Sequence, residues 1–262
     1  MSEPTPTEAA QFARYPSLSG RTVFVTGGSS GIGADIVLAF VRQGCKVGFT
    51  GRNADAAARL VAAAGAGGVA PLFIQSDAAD VEALRAAIAQ TAAQFGDISV
   101  LVNNVANDER HALENVTPDD FDWRIAVNLR PHFFAAQAVV PGMRRLGGGA
   151  IVNLGSTSWK IKGKGYPVYA TCKSATVGLT RSLARELGPD SIRVNTLTPG
   201  WIMTEKQLAL WVDAAGEQAM RDNHCLPGRI LGSDVACMAL FLAADDSRMV
   251  TAQDFVVDAG WT

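Results

Sequence analysis

Tyr169 and Lys173 stand four residues apart in Tyr169-Ala170-Thr171-Cys172-Lys173, and Ser156 lies thirteen residues before the tyrosine. If this segment is helical, the i, i+4 spacing puts phenol and ammonium on one face. A phenol beside a cation is a base for removing the proton of an alcohol, since the ammonium favours the phenolate and draws its pKa down from about 10. A serine hydroxyl close by would hold the substrate oxygen. The pair alone could be an ordinary surface contact, so the elements that carry it decide its meaning.

A second constellation follows the first predicted strand, where Thr26-Gly27-Gly28-Ser29-Ser30-Gly31-Ile32-Gly33 runs into a helix. Glycines there let the backbone turn sharply and approach a pyrophosphate, which would sit on free N–H groups at the helix start. The candidate contacts are Gly27, Ser29, Ser30, Gly31, Ile32 and Gly33. About 20 residues past such a loop a carboxylate ordinarily binds the ribose hydroxyls, whereas arginine receives a 2′-phosphate. Here the chain reads Phe49-Thr50-Gly51-Arg52-Asn53, which points to NADP through Arg52 and Asn53, with NAD use possible. Asp77 and Asn104, at the ends of the third and fourth predicted strands, join the list by position.

These residues need a parallel sheet to bring them together. Predicted strands at 21–26, 46–50, 71–76, 98–104, 150–156, 192–198 and 254–259 alternate with helices near 31–44, 54–64, 79–95, 118–145, 167–187 and 233–243. Gly44, Gly65 and Gly188 serve as helix stops, and Pro131 as a kink. That alternation predicts an α/β, Rossmann-type doubly wound sheet of seven parallel strands in one three-layer α/β/α domain. Residues 1–20 read as a loose N-terminal arm ahead of a domain spanning 21–262. Residues 201–227 interrupt the alternation and read as a substrate-binding lid.

Composition narrows the partner. The 262 residues are 48% hydrophobic and 18% charged, with a net charge of −2, which suits a globular chain and offers no basic footprint for nucleic acid or membrane. Cys45, Cys172, Cys225 and Cys237 form no CxxC pair, and His111, His132 and His224 are scattered, so neither disulfides nor a metal is expected. The N-terminus lacks the basic start and apolar run of a signal peptide, and a cytoplasmic protein with a small-molecule partner is expected.

The TGxxxGxG loop, Ser156 and the Tyr169-to-Lys173 motif together resemble the short-chain dehydrogenase/reductase family over roughly residues 18–262. The resemblance implies a catalytic tetrad. Asn128 would anchor a proton-relay water, Ser156 would orient substrate, Tyr169 would act as acid/base, and Lys173 would bind the nicotinamide ribose while tuning Tyr169. Pro199, Ile202 and Thr204 would meet the nicotinamide, and Asp77 the adenine. The family's Asn-Asn-Ala-Gly segment reads Asn103-Asn104-Val105-Ala106 here.

The segments Asn107-Asp108-Glu109-Arg110-His111, Ser158-Trp159 and Asp258-Ala259-Gly260-Trp261 are similar to those of the family's aldose 1-dehydrogenases. These oxidise a pentose or 6-deoxyhexose at C1 to the lactone. Substrate contacts would be Asn107, Ser156, Ser158, Tyr169 and Trp201, with Lys206 a weaker candidate. A ketone or 3-oxoacyl reductase would share the tetrad, and a nucleotide-sensing binding protein would share the fold. The family also implies a homotetramer with the 167–187 helix at an interface.

Overall fold

The computed structural model describes residues 13–65 and 69–262. Seven strands form one parallel sheet: β1 (Thr22–Thr26), β2 (Lys46–Gly51), β3 (Leu72–Gln75), β4 (Val100–Asn103), β5 (Gly149–Leu154), β6 (Ile192–Pro199) and β7 (Asp254–Val257). Their order is β3-β2-β1-β4-β5-β6-β7, so the chain reverses direction across the sheet between β1 and β4. In such sheets ligands bind beyond the carboxyl ends of the strands at this reversal, the place to which the glycine loop after β1 is delivered.

β1 is buried along its whole length because both faces are covered, and its side chains alternate between two cores. Val23 and Val25 pack with Ile36 and Phe40 of α1 (Gly31–Arg42) and with Val235 and Leu240 of α9 (Gly232–Ala243). Phe24 points the other way, into Leu84 and Ile88 of α3 (Val81–Phe95), Met143 of α5 (Arg130–Arg145) and Leu187 of α6 (Pro167–Leu187). The remaining helices are α2 (Ala54–Ala64), α4 (Pro118–Asn128), α7 (Glu205–Leu210) and α8 (Ala214–Asn223).

A buried polar chain fixes α6 against the sheet. Asn103 donates to Asn153 Oδ1 at 2.9 Å, Asn153 donates to Thr180 Oγ1 at 3.0 Å, and Thr196 donates to the same hydroxyl at 2.8 Å. Such groups specify one arrangement because any slip strands a polar atom away from water.

Three expectations change. The helix predicted over 118–145 is two helices, broken at Leu129 (φ −130°), because Pro131 lies in the first turn of α5, where its missing N–H costs nothing. All three glycine stops follow helices, but only Gly44 is left-handed (φ +81°); Gly65 and Gly188 keep right-handed backbone. Within the expected arm of residues 1–20, residues 13–20 pack on the domain. Leu18 is fully buried, and Gln43 on α1's end bonds both Ala13 and Tyr15 backbone groups. Residues 1–12 lie outside the described part.

Candidate active site

A cavity of about 810 Å³ opens at the carboxyl ends of the strands. Its first wall is the glycine loop. A Cβ built on Gly33 would stand 2.1 Å from the Gly27 carbonyl, so α1 starts too close to β1 for any side chain. Gly27 (φ +68°) and Gly31 (φ +54°) take left-handed backbone that favours glycine. The first turn of α1 carries no acidic residue, and Ser30, at its cap, spends no side-chain bond on the helix. The loop therefore offers N–H groups and hydroxyls to an anion, and the residues present fit a dinucleotide pyrophosphate.

Gly27, Ser29, Ser30, Ile32, Gly33, Arg52, Asp77, Asn104, Pro199, Ile202 and Thr204 all line this cavity. Two cofactor candidates do not. Gly31 is not among the lining residues although a Cβ there would meet Thr204 at 3.3 Å, and Asn53 caps α2 by accepting from Ala56 N at 3.0 Å. Asn104 reaches the wall, but its amide donates to the Thr26 and Gly27 carbonyls at 3.0 and 2.9 Å and so holds the glycine turn.

The opposite wall carries the predicted chemistry. Ser156 follows β5 and accepts from Ser158 N at 3.1 Å, while the Tyr169 hydroxyl hydrogen-bonds Ser156. Pro167 starts α6, and His111 accepts from Val168 N at 3.2 Å, its other ring nitrogen facing the Glu109 carbonyl at 2.9 Å. That pairing assigns the proton to Nδ1 and makes His111 the residue that seats the first turn of α6, a role no spacing pattern announces. Lys173, 1% exposed, donates to the Leu154 carbonyl at 2.7 Å.

The electrostatics differ from the simple phenol-and-cation expectation. Burial pushes the Tyr169 phenol above its ordinary value. The Ser156 bond opposes this, the charge of Asp108 adds to the rise, and Arg110 opposes it. The Lys173 ammonium lies over the tyrosine ring, 5.8 Å from its centroid. Burial draws Lys173 itself down to about 8.

Asn128 is fully buried and lies outside the cavity wall. Its amide donates to Arg124 O at 3.0 Å, and its oxygen accepts from Asn107 N at 2.8 Å. Both polar ends of the side chain are thus bonded within the protein, and Asn128 positions the loop after β4. Asn107 in turn accepts from Glu109 N at 2.9 Å.

At the substrate end, Asn107, Ser156, Ser158, Tyr169, Trp201 and Lys206 line the cavity, as do Trp123, Trp261, Asp108 and Gln207. The Ser158 hydroxyl is buried without a partner, and the Trp201 indole N–H is taken by Gln207 at 2.9 Å. Trp159 stays outside, under the Lys160 ammonium.

Behind Lys173 lies His132, fully buried, with both ring nitrogens free of hydrogen bonds. Burial and then the Lys173 charge hold it well below the ordinary 6.5. The folded protein resists protonating His132, while the unfolded chain binds that proton below about pH 6.5. Stability is therefore expected to fall as pH drops below that value. His132→Leu should flatten this part of the Tm-against-pH curve between pH 7 and 5; an unchanged slope would show that His132 does not contribute.

Residues 27–262 match the family model described as "Enoyl-(Acyl carrier protein) reductase". The chain is 45% identical to a "Probable galactose dehydrogenase GalD" of Rhizobium meliloti, over 95% of this chain and 97% of that protein. It is equally 45% identical to a D-xylose 1-dehydrogenase of Caulobacter vibrioides, over 95% and 98%. A solved short-chain dehydrogenase/reductase from Serratia marcescens superimposes with a TM-score of 0.86 at 35% identity, covering 94% of this chain and 99% of that one.

Proposed function

Since the chain belongs to the short-chain dehydrogenase/reductase family and is an oxidoreductase, we propose that it oxidises the C1 hydroxyl of an aldose to the lactone, with NADP preferred. The observation that carries the reading is the meeting of Ser156, Tyr169 and Lys173 with the glycine loop in one cavity whose far end is polar and indole-lined. Sugar rings suit such an end, where indole faces and several hydrogen-bonding groups converge. The two sugar dehydrogenases at 45% identity support the same class, and their names span a pentose and a hexose.

Ser156 and Tyr169 bind the C1 hydroxyl, and the Tyr169 oxygen, ionised to the phenolate, takes its proton and becomes the neutral phenol. When bound, the oxidised nicotinamide would supply the hydride acceptor, and its positive charge would favour the phenolate form of Tyr169. Lys173, held by the Leu154 carbonyl, keeps its ammonium over the face of the tyrosine ring. β2 ends in Thr50 and Gly51 and is followed by the exposed Arg52, with no carboxylate among them, which suits a 2′-phosphate at Arg52. A cytoplasmic homotetramer belongs to the same proposal.

A carbonyl reductase acting on β-ketoesters would use the same tetrad but has no need of a polar mouth. The deciding experiment is nicotinamide reduction by the purified protein against pentoses, 6-deoxyhexoses and hexoses, each with NADP and NAD. Turnover of an aldose is expected, with NADP favoured in kcat/KM and Arg52→Ala lowering that preference by about tenfold or more, the scale of one charge-assisted contact. Activity confined to β-ketoesters with NADPH would overturn the sugar reading; a clear preference for NAD would overturn the role of Arg52.

A further inference from the structure

Asp108 lies in the loop after β4, outside the tetrad, yet its carboxylate lines the cavity and is bound across it. One oxygen pairs with the Lys206 ammonium, and the other accepts from Gln207 Nε2 at 2.7 Å, both donors belonging to α7 of the lid. Gln207 uses its own oxygen to hold the Trp201 indole N–H. Two of about four acceptor positions on the carboxylate are thereby used. The side chain is 26% exposed, and its charge reaches the Tyr169 phenol. A carboxylate that shares the cavity with the acid/base, is partly exposed and is neutralised by a lid lysine can accept further hydrogen bonds without the cost of an unpaired buried charge.

We infer that Asp108 is a specificity-determining residue, accepting hydrogen bonds from substrate hydroxyls other than the one oxidised, with Gln207 and Trp201 set around it by the same contacts. The inference rests on the aldose reading. It distinguishes a polyhydroxylated ring from a plain ketone by chemistry: a hydroxyl facing Asp108 completes its hydrogen bonding, and a methylene there leaves an acceptor unfilled.

The test compares kcat/KM for a turned-over aldose with its monodeoxy analogues, in the wild-type protein and in Asp108→Asn and Lys206→Met. Wild type should lose about 10- to 100-fold on at least one analogue lacking a hydroxyl distant from C1, the scale of a hydrogen bond to a charged group. In Asp108→Asn that loss should shrink to about threefold or less, the parent sugar's KM rising more than its kcat falls. Lys206→Met breaks the ion pair but keeps the carboxylate, so discrimination should persist. Equal loss for parent and analogues in Asp108→Asn, or loss of discrimination in Lys206→Met, would make Asp108 a lid tether only and overturn the inference. If wild type oxidises no aldose, the aldose reading falls first and this inference falls with it.

Discussion

Replacing Tyr169 by phenylalanine is expected to lower kcat for the preferred substrate by about a thousandfold, within the range of roughly 10² to 10⁴ attributed to a positioned acid/base, while cofactor affinity changes little. The substitution removes one oxygen and leaves the ring. That ring packs edge-on to Tyr166 at 5.9 Å and lies beneath the Lys173 ammonium, contacts that need no hydroxyl. Ser156 keeps its bond from Ser158 N, so the strand-end turn stays in place. The glycine loop, on the opposite wall, does not touch the change. Steady-state kcat with saturating cofactor and sugar, together with NADPH fluorescence titration, separates chemistry from binding. Retention of more than about a tenth of wild-type turnover would remove Tyr169 from the acid/base role, because no such fraction survives loss of the reacting proton's acceptor.

What the sequence discloses and what it hides divide along locality. The strands, the glycine turn and the α6 pair are legible because each is written within a few residues: β-branched runs, glycines at fixed offsets, an i, i+4 spacing. The contacts of the asparagines are hidden for the opposite reason. Asn128 donates to Arg124 one helical turn back, but its bond from Asn107 spans 21 residues and the Asn104 bonds to the Thr26 and Gly27 carbonyls span 77 or more, so these follow from the folded backbone and not from spacing. The Asp108–Gln207 bond spans 99 residues and joins the loop after β4 to α7, two segments that no local pattern relates. Even the break at Leu129 turns on whether Pro131 sits inside a helix or in its first turn, a difference of two residues. His111 is hidden in the same way, since 57 residues separate it from Val168, whose N–H donates to it.

Gly33→Ala is expected to weaken NADP binding by at least about 100-fold, with a lower Tm in the absence of ligand. Alanine is the better helix former by roughly 1 kcal/mol, and Gly33 lies in the first turn of α1, so local propensity favours the substitution. The obstacle is tertiary. The new methyl would meet the Gly27 carbonyl oxygen at 2.1 Å, the Gly27 carbonyl carbon at 3.0 Å and the Asn104 amide nitrogen at 2.5 Å. None of these is the loose end of a flexible chain. The carbonyl belongs to the left-handed turn that opens toward the pyrophosphate, and Asn104 is pinned by its two bonds to that turn. Relief requires α1 to move off β1 or the turn to open, and either displaces the N–H groups that would face the phosphates. Titration with NADPH, paired with thermal unfolding of the ligand-free protein, reads both consequences. A dissociation constant within threefold of wild type would mean that the close approach of α1 to β1 can relax without cost to the anion site. The loop would then hold the cofactor through Ser29, Ser30 and Arg52 rather than through the backbone at the start of α1.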